Sequence, residues 1–391
     1  MKKRIFAFLL AFAMLVPTLV SCDMSPKDDG GKDTQGTQEK ENILPVENLE
    51  YRLLTDGTYG VRLGEVGDSN KIVFPSSHEG VPVTRIVAGT RTSSDRTNIK
   101  EIIIPDTIVQ IDNYAFEKCT ALTEIVIPEG VESIGVCAFY DCRSLTKISI
   151  PDSIKHIGED AFDKCPNLVY NEDDSAYYLG NANNPYAALA SLKSTDITTF
   201  SIRSETKVIY GTPFYNCSSL ENITIPEGIV TKIEDEAFRG CASLKSIVIP
   251  EGVKSIGDSA FAGCTSLTSV VLPDSLTGIG TFAFDGCASL TCVVIPDGIA
   301  SIGTAAFINC SGLKSVVIPA GVMSIGDSAF RNCNQLKTVY YGGTASAWTI
   351  VSIGFYNEKF SAASRYYYSE TKPSKTGKYW HYDGNGDPVA W

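Results

Sequence analysis

The chain has 391 residues, 43% of them hydrophobic, and carries 33 Lys and Arg against 45 Asp and Glu, a formal charge of −12. That is enough apolar material for a large core. It is also an acidity that repels a phosphate backbone unless a basic stripe is set into the surface, and no such stripe occurs, so nucleic acid is excluded as a partner.

At the N-terminus, Lys2, Lys3 and Arg4 precede an apolar run from Ile5 to Val16, and Leu19–Val20–Ser21–Cys22 follows. Residues 1–21 read as a signal peptide, the run being short for a membrane span. The last four residues resemble a lipobox, whose chemistry needs the thiol of Cys22 to take up a diacylglycerol, so Cys22 is the expected lipidation site. No later segment approaches transmembrane length, which leaves the lipid as the only expected membrane attachment. Asp23 to Asn42 holds almost no apolar residue and cannot bury enough surface to fold, so residues 22–45 read as a flexible tether.

Residues 46–98 are expected to form an N-terminal cap. Arg52 to Leu63 reads as a hairpin around Asp56–Gly57, and Lys71–Phe74 before Pro75 reads as a degenerate first repeat strand. From residue 99 to 340 a 23-residue period takes over. Its columns are Phe116, Phe139, Phe162, Phe214, Phe238, Phe261, Phe284, Phe307 and Phe330, a cysteine three residues after each, and a leucine three residues after each cysteine. Ile99 and Ile197 fill the leucine column in two further copies, making eleven. Such a period marks a solenoid, because each unit is too small to bury its own apolar face and must stack on its neighbours.

One unit can be read in three parts. Leu267 to Leu272 alternates as a short strand ended by Pro273, Leu276–Ile279 is a second extended stretch, and Thr281–Gly286 is predicted to be a helical turn. Asn113, Asp235, Asp258, Thr281, Thr304 and Asp327 precede that turn as candidate N-caps. Asn216, Gly240, Gly263, Gly286, Asn309 and Asn332 suit a left-handed stop. The period slips twice, by one residue near Ile229–Val230 and by six between Leu168 and Ile197, so the repeat at residues 168–196 is irregular.

The pattern IPxx[VI]xxIGxxAFxxCxxLxx[VI], intact in Ile249–Val270 and Ile295–Val316, resembles the BspA-like leucine-rich repeat family of bacterial surface proteins, and the resemblance covers residues 51–391. Tyr178 to Tyr186 is similar to an insert of that family, and Tyr366–Glu370 with Tyr379–Tyr382 to its C-terminal module. The chain departs from the pattern at Arg203, where proline is expected, and at Pro213, where alanine is. The fold class expected is an α/β leucine-rich-repeat solenoid with stacked parallel strands and short helical turns, capped at both ends. The resemblance implies adhesion to host matrix proteins such as fibronectin and fibrinogen, or to other bacteria.

Nine of the cysteines lie in one repeat column whose side chains point in parallel into the core, so they are expected to be buried free thiols; Cys137 and Cys292 outside it are expected to be free and locally structural. The histidines are scattered at His78, His156 and His381, and no metal site or cofactor is expected. Asp383 to Asp387 has the spacing of the first calcium-loop ligands but lacks the glycine and the later glutamate, and reads as a tight turn. No nucleophile elbow, phosphate loop or HExxH occurs, and the acids recur in turns such as Pro250–Glu251–Gly252, so no enzyme is expected.

Function is therefore expected on the surface that the period leaves free. The outward strand column offers Thr224, Val248, Val271, Val294, Val317 and Tyr340 as partner-binding residues, a contiguous apolar ladder. At residues 341–391 the aromatics are expected to cover the last coil, with Tyr379, Trp380 and Tyr382 as an alternative glycan platform. The expected partner is an extracellular protein or glycan, at the cell surface, with a passive structural spacer as the further alternative.

Overall fold

The computed structural model describes residues 42–88, 96–228, 231–374, 377–384 and 386–391. The expected signal peptide, Cys22 and the tether up to residue 41 lie outside the described residues. Asn42–Pro45, expected in the tether, is instead held on the solenoid: the Leu44 amide donates to the Lys71 carbonyl at 2.8 Å and Leu44 is buried.

The chain winds as a parallel β-solenoid with two strands per coil. The longer strands stack in register, as in Ser246–Val248 on Ser269–Val271, where Val248 pairs with Val271. The shorter ones stack beside them, Ser255–Ile256 on Gly278–Ile279. Between the two ladders lie the Phe, Cys and Leu columns, almost all without solvent exposure. From Phe214 to Phe330 the rings form one run with centroids 5.1–5.4 Å apart, which Phe360 extends.

The predicted helical turn is not a helix. Phe282 and Gly286 both take left-handed backbone angles, φ 56° and 71°, four residues apart, and no helix tolerates that spacing. Alternate amides also leave the turn: those of Phe282, Phe284 and Gly286 donate to Thr304, Ala306 and Ile308 of the next coil, at 3.3, 2.8 and 3.0 Å. The residues expected to cap this turn act between coils for the same reason. Asp258 Oδ1 accepts the amide of Thr281 at 2.6 Å, and Asp235 Oδ1 accepts that of Asp258 at 3.0 Å.

The cysteine column forms a second inter-coil ladder. Cys287 Sγ donates to the carbonyl of Phe261 at 3.3 Å, and Cys310 and Cys333 repeat this with Phe284 and Phe307. All eleven cysteines from Cys119 onward are free, and only Cys137 and Cys292 are not fully buried. Burial pushes the Cys217 thiol up to about 11 and Cys264 to about 12, so neither holds a thiolate near neutral pH. A thiol-alkylating reagent read by mass spectrometry is expected to label, among these eleven, Cys137 and Cys292 in the native protein and all of them in denaturant. Native labelling of Cys264 or Cys287 would contradict the packing.

At the irregular repeat the extra residues build a hairpin, Ala176–Leu179 against Ala188–Leu192, which joins the shorter ladder by parallel pairing with Val208–Ile209. The core divides here into two clusters that interleave across the insert: one runs from Leu44 to Leu168 and takes in Leu179, Ala187, Ala188 and Val208, and the other takes in Ala176, Tyr178 and Leu189 and runs on from Phe200 to Phe360. The Phe stack also breaks, Phe162 meeting Tyr210 edge-on and donating its amide to the Tyr210 hydroxyl at 3.0 Å. The departure at Arg203 now has a reason. Its guanidinium pairs with Asp173 at 2.9 Å and lies 4.1 Å over the Tyr186 ring, tying the insert to the next coil.

Burial alone would raise the Asp173 carboxyl, but the Ser175 amide, Arg203, the Ala176 amide and the Tyr178 hydroxyl hold it below the usual range. A depressed folded pKa gives stability that is present above the unfolded value of about 4 and lost as pH falls through the folded one. Asp173→Asn is expected to destabilise by about 1–3 kcal/mol at neutral pH, since it removes acceptors from buried donors. In urea titrations across pH, the gap from wild type should close in acid; a constant gap would refute the linkage.

Candidate binding surface

The outward residues of the longer ladder stand on the middle of the solenoid's strand face because each follows an inward residue: Ile247 points in and Val248 out, Val293 in and Val294 out. Val248, Val271 and Val294 are 62%, 55% and 40% exposed, and Thr224 is exposed beside them. Towards the N-terminus Val73, Ile103 and Val126 form a second exposed stretch, separated from the first by Ser149, Ser201 and Thr224.

Two expected surface residues are not on the surface. Val317 is 2% exposed and Trp380 1%. The cause is a hairpin of Tyr379–Tyr382 and Pro388–Ala390, which follows Ser364–Tyr368 in the longer ladder. Trp380 packs its ring 5.5 Å from Tyr340, the register partner of Val317, and donates its indole N–H to the Tyr341 carbonyl at 2.8 Å. The aromatic module thus seals the outward column over its last coils, leaving Tyr340 and Tyr379 half-buried and Tyr382 43% exposed. Burial, then the charges of Asp297 and Asp274, raise the Tyr382 phenol, so its ring lies within the field of those two acids. The Asp383–Asp387 segment turns this hairpin, with the Asp387 amide donating to Asp383 Oδ1 at 2.9 Å.

A row of carboxylates lies beside the valine column. Glu227, Glu251, Asp274 and Asp297 are exposed, each three residues after an outward residue and one coil from the next. None forms an ion pair among the described residues. Sequence reading assigned these acids to turns alone. That role is real, since Glu251 Oε1 accepts the Asp274 amide at 3.1 Å, but it leaves the charge facing solvent.

Away from this face, a cleft of about 600 Å³ opens at the irregular repeat, lined by His156, Glu159, Thr212, Lys232, Glu234 and Asp258. Glu234 accepts from Lys232 at 2.6 Å and lies 3.3 Å from His156 Nδ1. Burial would raise its carboxyl, and these two partners hold it below the usual range. Among the described residues no group of three His, Cys, Asp or Glu is arranged to hold a metal ion, and no helix is long and apolar enough to cross a membrane.

Stacked coils of 23 residues with Phe and Leu columns facing inward define a leucine-rich-repeat solenoid. The model of the BspA type leucine rich repeat region matches residues 92–172, 189–241 and 231–360, more than half of the chain, and the protein belongs to that family, whose repeat serves as a non-catalytic binding scaffold. The chain is similar to a solved leucine-rich repeat protein from Bacteroides ovatus at 27% identity, over 83% of this chain and 78% of that one, with a TM-score of 0.35. It is similar to a leucine rich cell surface protein from Faecalibacterium prausnitzii at 25% identity, over 78% and 96%, with a TM-score of 0.37. The pneumococcal vaccine antigen PcpA matches at 19% identity, over 84% and 94%, with a TM-score of 0.35. Comparison with curated proteins finds no match.

Proposed function

We propose that this is an exported protein, lipid-anchored through Cys22, that binds macromolecules without catalysis through the outer face of its longer strand ladder. The observation that carries the reading is the run of exposed valines at Val248, Val271 and Val294, since contiguous apolar surface of this kind marks an interaction site. Family membership supports adhesion to host matrix proteins or to other bacteria as the biological use. Val317 no longer contributes, and Thr224 and Tyr340 flank the patch.

The exposed rings of Tyr368, Tyr382 and Trp391 support glycan recognition as the second reading, with Trp380 as their buried support. The full chain is tested on immobilised fibronectin and fibrinogen and on a glycan array. Val271→Asp with Val294→Asp is expected to abolish protein binding; unchanged binding would refute the face as the site. Glycan binding lost on Tyr382→Ala would favour the second reading. Membrane partitioning that survives Cys22→Ser would refute the anchor.

A further inference from the structure

The chemistry of the valine face narrows what it can hold. Its apolar column spans three coils, about 10 Å at about 4.8 Å per strand, the length of about three residues of extended chain. On the side where the strands start, Ser246, Ser269 and Cys292 are small, so a polypeptide backbone can approach closely. On the side where the strands end stand Glu251, Asp274 and Asp297, in register and without a cationic partner among the described residues. Like charges repeated one coil apart repel one another, and a ligand carrying positive charges along that line relieves the repulsion. Tyr382, 43% exposed and within the field of Asp297 and Asp274, adds a ring face that accepts cations. A second copy of this chain, itself at −12, is disfavoured there, as is any polyanion.

Building on the binding reading above, we propose that this face takes a short polypeptide segment of a partner that carries both aliphatic and basic side chains, the aliphatic ones resting on the column of Val248, Val271 and Val294 and the cations reaching the flanking row of Glu251, Asp274 and Asp297. The test is fluorescence anisotropy of the full-length protein with three labelled peptides: one composed of Lys and Val, one with Glu for each Lys, and one with Ser for each Val. The Lys–Val peptide should bind best, with affinity falling as salt rises. Glu251→Gln, Asp274→Asn and Asp297→Asn together should weaken it about ten-fold, in the range of close charge pairs at interfaces. The amides keep an acceptor for the inter-coil hydrogen bond, and an unchanged urea midpoint shows that the fold is intact. Equal binding of the Lys–Val and Glu–Val peptides, or no effect of the triple variant, would overturn the charge assignment. If fibronectin or fibrinogen binding is lost in Val271→Asp with Val294→Asp but retained in the triple variant, the cationic-partner inference fails while the face remains the binding site. If neither variant matters, both fail.

Discussion

Gly280→Ala is expected to destabilise the solenoid by about 3 kcal/mol, whereas Gly278→Ala, two residues earlier, is expected to be neutral or to stabilise by about 0.5 kcal/mol. The contrast follows from what a methyl group would meet. At Gly280 an added Cβ lies 2.5 Å from the Gly257 carbonyl carbon and 2.7 Å from the Asp258 amide nitrogen, both backbone atoms of the preceding coil that cannot swing aside. The Gly280 amide also donates to Ile256 at 2.8 Å, so moving the coil away would break the ladder. At Gly278 the nearest atom is Ser255 Cβ at 3.8 Å, and the equivalent positions carry Ser255 and Ser301. Urea midpoints of the two variants check this. A Gly280→Ala protein as stable as wild type would show that neighbouring coils are not in close backbone contact there. Gly135, Gly257, Gly303 and Gly326 are crowded in the same way, each with backbone of the preceding coil within 2.8 Å.

This glycine column shows what the sequence discloses and what it withholds. The period places every Phe, Cys and Leu in the core correctly, because a side chain repeated at 23 residues meets its own copy whatever the backbone does between. The hairpin at Asp56–Gly57 was equally legible from local turn chemistry, with Leu53 paired to Tyr59 across it. The backbone itself was not. Thr281–Gly286 carries the residues of a capped helical turn, yet its amides bond to the next coil, and a single unit gives no sign of partners 22 or more residues away. The same blindness assigned Asp258 to its own turn instead of to Thr281.

The candidate site was legible by half for a related reason. Alternation along a strand tells which side chain leaves the core, and so found Val248, Val271 and Val294. It does not say what folds back over them. Val317 and Trp380 bury one end of the column through contacts between segments about 40 residues apart, as in the Trp380–Tyr341 hydrogen bond, which no repeat column encodes. Arg203 is a comparable case: a missing proline reads as a packing defect until Asp173 and Tyr186 are placed around it.

Phe284→Ala should cost about 3–5 kcal/mol, the range for removing a fully buried aromatic and leaving a cavity. Phe284 has no solvent exposure and stacks between Phe261 and Phe307 at 5.1 Å on each side, with ring planes within 9° and 2° of parallel. Centroids that far apart with parallel planes mean an offset stack, a favourable arrangement of the ring quadrupoles. Phe360 closes the run with one Phe neighbour, Phe330 at 4.7 Å, and the Trp348 ring at 6.1 Å, so Phe360→Ala removes one stacking contact instead of two. Because each coil touches only its neighbours, the loss in Phe284→Ala is concentrated at two coil interfaces. Hydrogen exchange should therefore rise first around residues 256–310, while the separate N-terminal core cluster keeps its protection. A uniform loss of protection along the whole chain would mean that the two core clusters unfold as one unit and that the break at the irregular repeat is not an energetic boundary.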